Sequence, residues 1–319
     1  MKIIQPSFSI IDQDFGIDGI FRQIELAGRT CYRSEDRITE TSAKVFVERM
    51  IASGHTAMLE HGTVYLAMPM VSLSKEEVWE RYMNNKYSKC CVVPKDTNLA
   101  ELMNQSTEDE SDFVYVTTNY RVLVENGWLD DLRYSCNPTQ FHKRRVTVLF
   151  HTQVAISREF NRHRVNSIAE SSTRYCNYSK DKFGNEITVN LPSWIEPAAI
   201  TPEAMDKAVM QNKLLELANT WGNAEVKFPK EFTALDYWLL ANTMAEYCYM
   251  GLIQQGWTAQ QARTILPLDT NTDLVHTAFV EDWQHFFDLR ALGTTGKPHP
   301  DASCLAIPLY NEFKKRGLL

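Results

Sequence analysis

The 319-residue chain predicts an α+β fold, a mixed and largely antiparallel sheet with flanking helices. Three observations carry this reading. A few segments alternate apolar and polar residues as strands do, while more and longer segments space their apolar residues as helices do. The two kinds follow one another without regular strand–helix–strand alternation. No G-x-G-x-x-G turn follows a strand anywhere, so the fold is not of the Rossmann type.

Taken in order, residues 1–12 alternate loosely as a strand. Residues 15–29 and 39–53 have helical apolar spacing, and Gly54 closes the second as a helix C-terminus. Residues 62–71 (GTVYLAMPMV) form the next strand, and a helix follows from 75 to about 84. The character then changes. Residues 86–112 carry a proline, several Asn and Ser, and an acidic run over 108–112, which reads as a solvated surface excursion. Apolar pattern returns over 113–126. Residues 145–155 (RVTVLFHTQVA) alternate as a core strand and run into a short helix over 156–164, while 165–200 read as irregular or extended. Helical stretches at 202–221, 231–251, 257–265, 275–291 and near 304–316 complete the chain. With no internal repeat and no low-complexity linker, residues 1–319 read as one domain bearing a surface insertion.

Composition narrows the function. Hydrophobic residues at 44% and charged residues at 23% exclude a wholly disordered or collagen-like chain. Thirty-three Lys and Arg against 40 Asp and Glu leave a net charge of −7, which argues against a general nucleic-acid coat or a binder of anionic membranes. The opening MKIIQPSFSIIDQDF lacks the basic head and apolar core of a targeting segment, and no apolar run is long enough to span a bilayer. Seven cysteines, odd in number and without C-x-x-C, read as reduced thiols and not as a disulfide framework or zinc site. The expectation is a soluble cytoplasmic protein without a metal.

The most unusual stretch is 158–174, R-E-F-N-R-H-R-V-N-S-I-A-E-S-S-T-R. It holds Arg158, Arg162, Arg164 and Arg174, one histidine, and Ser167, Ser171 and Ser172, with Glu159 and Glu170 as its only acids. Guanidinium groups grip phosphates through planar paired hydrogen bonds, and serine hydroxyls complete such a cradle. The stretch reads as an anion pocket or as a solvated basic face. Val165, Ile168 and Ala169 argue against full exposure. His163 lies between two arginines, and neighbouring positive charge favours the neutral imidazole.

Arg162-His163-Arg164, then seven residues, then Ser172, matches an R-H-R-x7-S signature, and with it the chain resembles the flavin-dependent thymidylate synthases, the ThyX family. Other stretches agree in order. Ala27-Gly28-Arg29-Thr30-Cys31-Tyr32 is similar to the family's A-A-R-x-S/C-Y, and Gly54-His55-Thr56 through Glu60-His61 to its G-H-x4-E-H. Gln261-Ala262-Arg263 with Leu266-Pro267-Leu268 resembles A-R-x-x-L-P, and Phe287-Asp288-Leu289-Arg290 resembles F-x-x-L-R.

The resemblance implies an enzyme that methylates dUMP to dTMP, with methylenetetrahydrofolate as carbon donor and NADPH as reductant through FAD, in a homotetramer with shared sites. It implies that His55, Glu60, Arg162, His163, Arg164 and Glu170 hold the flavin. Glu159, Glu170, Ser172, Thr173, Arg174, Arg263 and Arg290 would hold dUMP, with Arg290 catalytic at the pyrimidine ring. A nucleotide monophosphate carries nearly two charges, which Arg174, Arg263 and the Ser172 hydroxyl are suited to meet. A guanidinium on the pyrimidine carbonyl edge stabilises negative charge as C5 becomes nucleophilic. Cys176, two residues past Arg174, is then not a nucleophile.

Departures from the pattern are local. The distance from Glu60 to Arg162 far exceeds that in compact members, which marks 72–143 as an insertion. Residues 278–282 (AFVED) stand where the family often has a small pair with Asn or Arg, and Ala169 stands where Asn is common. Thr117-Thr118-Asn119-Tyr120-Arg121 shows a T-x-N-x-R pattern like the missing one, and reads either as its replacement or as a surface helix start.

Bland readings cover the remaining residues. His55 and His61 with Glu60 lack the spacing of a zinc site, the tryptophans suit a core, His299 suits a turn, and Ser171 or Ser172 has no base at a fixed spacing. The competing function class is a non-catalytic nucleotide- or RNA-binding protein using the arginine-rich pocket. His55 and Glu60 separate the two, since a phosphate receptor has no use for them.

Overall fold

The computed structural model describes residues 1–70, 75–93, 113–220 and 229–319. In chain order these form β1 (Lys2–Ile4), β2 (Ser7–Ile11), α1 (Gly16–Tyr32), α2 (Ser42–Ala52), a 3-10 turn (Thr56–His61) and β3 (Thr63–Pro69). Next come α3 (Lys75–Val78) continued by a π turn (Trp79–Met83), β4 (Lys89–Val93), β5 (Phe113–Asn119), α4 (Tyr120–Asn126) and β6 (Arg145–Gln153). Then follow α5 (Val154–Phe160), β7 (Ser167–Glu170), β8 (Thr188–Asn190), α6 (Lys207–Thr220) and α7 (Ala234–Gln254). Last are α8 (Ala259–Ala262), β9 (Asn271–Phe279), α9 (Val280–Arg290) and α10 (Pro300–Lys315).

Among the described residues the strands form three sheets: β2-β6-β9-β7, β3-β5-β4 and β1-β8. The first two are antiparallel throughout and the third pair is parallel, so the sheet content is mixed and largely antiparallel as expected. Alternation along β6 divides its side chains. Val146, Val148 and Phe150 pack with Phe160 of α5, Trp283, Phe286 and Phe287 of α9, and Leu305, Leu309 and Phe313 of α10. Each large side chain so buried stabilises the fold by about 1.5–3 kcal/mol. On the other face Leu149 meets Val275, Ala169 and, from α1, Ala27 and Cys31.

A second core joins α1 and α2 to the three-stranded sheet. Ile20, Phe21 and Ile24 form one stripe of α1 and pack with Phe46 and Val47 of α2 and with Val64 and Leu66 of β3. Glycine sets the spacing at two points. A Cβ on Gly28 would lie 2.5 Å from the Phe46 ring, and one on Gly62 would lie 2.7 Å from Ile24. Residues 75–93 and 113–143 are joined to this core, since β5 bonds β3 on one side and β4 on the other, and Tyr82, Val114, Val116 and Leu123 are buried in it.

Three sequence expectations need correction. Residues 275–291 are not one helix: β9 occupies Asn271–Phe279 and α9 only Val280–Arg290. Every residue of β9 is buried, because the strand has sheet neighbours on both sides and helices over both faces, so no alternation marks it. The stretch 165–200 contains β7 and β8, each too short to show a period. Within 86–112, Lys89–Val93 is a strand, β4, and not solvated surface. The acidic run over 108–112 lies outside the described residues. Of the tryptophans, Trp283 is fully buried whereas Trp79 and Trp194 are exposed. Among the described residues no helix is long and apolar enough to cross a membrane.

Candidate active site

The C-terminus of α5 and the last turn of α9 meet at one side-chain cluster. Arg290 donates through Nη1 to Glu159 Oε2 at 2.6 Å and through Nη2 to the Glu159 carbonyl at 2.9 Å. Its Nε donates to His163 Nε2 at 3.4 Å. A guanidinium is always a donor, so Nε2 accepts and the ring proton sits on Nδ1. That Nδ1 is buried and has no partner among the described residues. Burial, then the charges of Arg290 and His285, push the His163 pKa down to about 4. The neutral ring matches expectation, but its cause does not. Arg162 and Arg164 are exposed, and the cation acting on His163 is Arg290.

Glu170 ends β7. Its Oε1 accepts from Ser157 Oγ at 2.7 Å and Thr272 Oγ1 at 3.0 Å, and its Oε2 accepts from Asn161 Nδ2 at 3.1 Å. Ser157, Asn161 and Thr272 escaped the sequence reading. Ser157 and Asn161 do sit within the short helix and turn that carry the arginines, and that placement was the only signal for them.

Beyond β7 the chain turns at Ser172, whose backbone N–H donates to the Cys31 carbonyl at 2.8 Å. Ser172 Oγ accepts from the Arg174 N–H at 3.3 Å. Arg174 Nε donates to Gln260 Oε1 at 3.0 Å, and Arg263 Nη1 donates to Thr173 Oγ1 at 3.4 Å. The structure therefore brings Ser172, Thr173, Arg174 and Arg263 to one place, at the turn and the end of α8. Neither guanidinium has an acidic partner among the described residues. Two unneutralised cations beside hydroxyls favour an anionic ligand.

His55 precedes the 3-10 turn after α2, and Glu60 lies within it. Arg121 Nη1 donates to Glu60 Oε1 at 2.5 Å, and its Nε donates to Glu125 Oε1 at 2.8 Å. Thr56 Oγ1 donates to the same Glu125 oxygen at 2.6 Å. Sequence reasoning missed Arg145, whose guanidinium holds the Glu60 carbonyl at 3.1 Å, Thr63 Oγ1 at 3.2 Å and Ser167 Oγ at 3.1 Å. It fixes this turn beside the start of β7. Among the described residues no hydrogen bond or ion pair joins His55 or Glu60 to Arg162 or Arg164. Glu60, Asn119, Arg121, Lys86 and Trp128 line a groove of about 470 Å³.

Two residues are structural. His61 is fully buried with Nδ1 2.9 Å from Thr277 Oγ1, and burial pushes its pKa down to about 3. His299 caps α10, its Nδ1 accepting from the Asp301 N–H at 3.2 Å.

Residues 75–316 match the family model Thy1, thymidylate synthase complementing protein. No curated protein matches the chain. Among solved structures it is similar to a UMP/dUMP methylase, PolB from Streptomyces cacaoi, bound with 5-Br dUMP: 14% identity over 99% of this chain and 93% of that one, TM-score 0.39. The same methylase bound with 5-Br UMP gives 13% identity, 99% and 92% coverage, and TM-score 0.38.

Proposed function

The chain belongs to the family of thymidylate synthase complementing proteins, and on that premise we propose that it is a flavin-dependent thymidylate synthase. It methylates dUMP to dTMP in the cytoplasm, as a homotetramer, taking carbon from methylenetetrahydrofolate and reducing equivalents from NADPH. The observation that carries this reading is the pairing of two cation sites. Arg174 and Arg263 lie with Ser172 and Thr173, without acidic partners among the described residues, and Arg290 is fixed on Glu159 and His163.

Arg174, Arg263 and the Ser172 hydroxyl hold the dUMP phosphate. Glu170, fixed by three donors, and Glu159 orient the nucleoside. Arg290 offers its guanidinium to the pyrimidine carbonyl edge, where it stabilises charge developing on the ring. Glu159 holds the plane of that guanidinium through a side-chain and a backbone bond. Cys176 stays out of the reaction. It is 1% exposed, and burial raises its thiol pKa, so little thiolate forms.

The residues present fit a flavin. The buried Nδ1–H of His163 lacks a protein acceptor among the described residues, and the exposed Arg162 and Arg164 flank it. With Glu170, His55 and Glu60 they form the set that would hold FAD, which when bound supplies hydride transfer.

An absorbance spectrum of the purified protein, before and after addition of FAD, tests the reading. Oxidised-flavin bands and NADPH-dependent dTMP formation are expected. A colourless protein that takes up no FAD but binds dUMP would leave a nucleotide receptor instead.

A further inference from the structure

The turn holding Glu60 is bound to α4, which lies in the stretch 72–143 that reads as an insertion in the sequence, although the family model spans it from residue 75. Arg121, in the first turn of α4, divides its guanidinium between two carboxylates, Nη1 on Glu60 and Nε on Glu125. Glu125 in turn accepts from Thr56. Both ends of the 3-10 turn Thr56–His61 are therefore gripped from α4. Glu60 Oε2 has no protein partner among the described residues and stays available to a ligand donor.

A second observation concerns the other strand-to-helix corner. β5 ends at Asn119 and passes into α4, as β9 ends at Phe279 and passes into α9. Each is antiparallel to its neighbour, β5 to β3 and β9 to β6. At the α9 corner the first turn carries no base. Glu281 is there, bonded to Lys89 and, at 2.9 Å, to Lys143. At the α4 corner the base is present and reaches Glu60. Asn119 plays a different part, since it is 1% exposed and its Oδ1 caps α4 by accepting from the Val122 N–H at 3.1 Å.

We propose that Arg121 is a positioning residue of the flavin site, acting through the Glu60 carboxylate. This rests on the flavin-dependent reading. Glu60 and Glu125 together outweigh the single Arg121 charge, so the guanidinium is ill suited to grip a phosphate directly. It is well suited to hold Glu60 in one orientation, because its planar fork meets two acids at once, which an ammonium group does less well. α4 (Tyr120–Asn126) is then part of the cofactor site and not an appendage.

The test is a double-mutant cycle on the full chain, with FAD affinity read by titration calorimetry and dUMP affinity measured separately. Arg121→Ala and Glu60→Gln should each weaken FAD binding about tenfold or more, the scale of one hydrogen bond to a charged group. The double variant should bind FAD no worse than Glu60→Gln alone, and dUMP affinity should stay within about twofold in all three. Wild-type affinity for FAD in Arg121→Ala overturns the inference and leaves the flavin reading standing. Additive losses overturn it too, since Arg121 would then act independently of Glu60. A wild-type protein that binds dUMP but no FAD removes the flavin reading and the inference with it. Should Arg121→Ala fail to fold, Arg121→Lys carries the test. That variant should fold, bind dUMP normally and lose FAD affinity severalfold, and undiminished FAD affinity would overturn the inference.

Discussion

Arg290 Nε donates to His163 Nε2 across 127 positions of sequence, and this contact decides where the imidazole proton lies. With Nε2 accepting, Nδ1 carries the proton inside the protein, where no acceptor among the described residues meets it. Under the function proposed above, one arginine serves two sites: it presents charge to the pyrimidine and selects the tautomer of a flavin-side residue.

Replacing Arg290 should therefore damage chemistry more than binding. Arg290→Ala is expected to lower dTMP formation about 100- to 1000-fold, the scale on which lost transition-state charge stabilisation is felt. NADPH-dependent dTMP production gives the measurement, with dUMP and FAD affinities as controls. A variant that keeps near-normal turnover would remove Arg290 from the catalytic role.

Cys176→Ala is expected to retain most activity, because the thiol is buried and its pKa raised. Mass spectrometry of the wild type during turnover should show no covalent uracil adduct. An inactive Cys176→Ala that still binds both ligands, together with an observed adduct, would contradict this mechanism.

The Arg174 side chain bonds Gln260 and lies over the Tyr175 ring at 5.5 Å, with no acidic partner among the described residues, so its charge suits a phosphate. Arg174→Ala should cost about 1.5–3 kcal/mol of dUMP binding, roughly ten- to a hundredfold in affinity, with flavin content nearly unchanged. Calorimetric titration with dUMP reads this directly, and an unaltered Kd places Arg174 elsewhere.

Acid should destabilise the fold through three buried histidines. Burial pushes His61 and His276 down to about 3 and His163 to about 4, against an ordinary value of 6.5. The folded state keeps them neutral while the unfolded chain takes up protons below about pH 6.5, so stability is full above that pH and falls as pH drops towards 3–4. At pH 5 each histidine costs about 2 kcal/mol. Denaturant titrations at pH 7.5 and pH 5 measure the difference, and equal stabilities would show that these rings ionise freely in the folded protein.

Much of the architecture was legible locally. The α1 stripe of Ile20, Phe21 and Ile24 repeats at helical spacing, and β3 alternates Val64, Leu66 and Met68 into the core, so neighbouring residues report their own conformation. The stretch 158–174 likewise announces itself, since its arginines and serines lie close in sequence. β9 did not. Asn271, Thr272, Asp273, His276 and Thr277 are all buried in it, and polar residues in a strand covered on both faces carry no period to read.

Read from neighbouring residues alone, the chain yields an inventory: α+β elements, the R-H-R-x7-S stretch, and the acids and arginines beside it. Which of those groups face one another was decided only by tertiary structure. Arg290 meets Glu159 across 131 positions, Arg121 meets Glu60 across 61, and Lys89 reaches Glu281 across 192. Charge interactions of this kind depend on distance in space and on exclusion of water, and both are set when sheets and helices pack. That is also why the neutral ring of His163 was foreseeable while its cause was not: the nearest cations in sequence, Arg162 and Arg164, are exposed, and burial with Arg290 does the work.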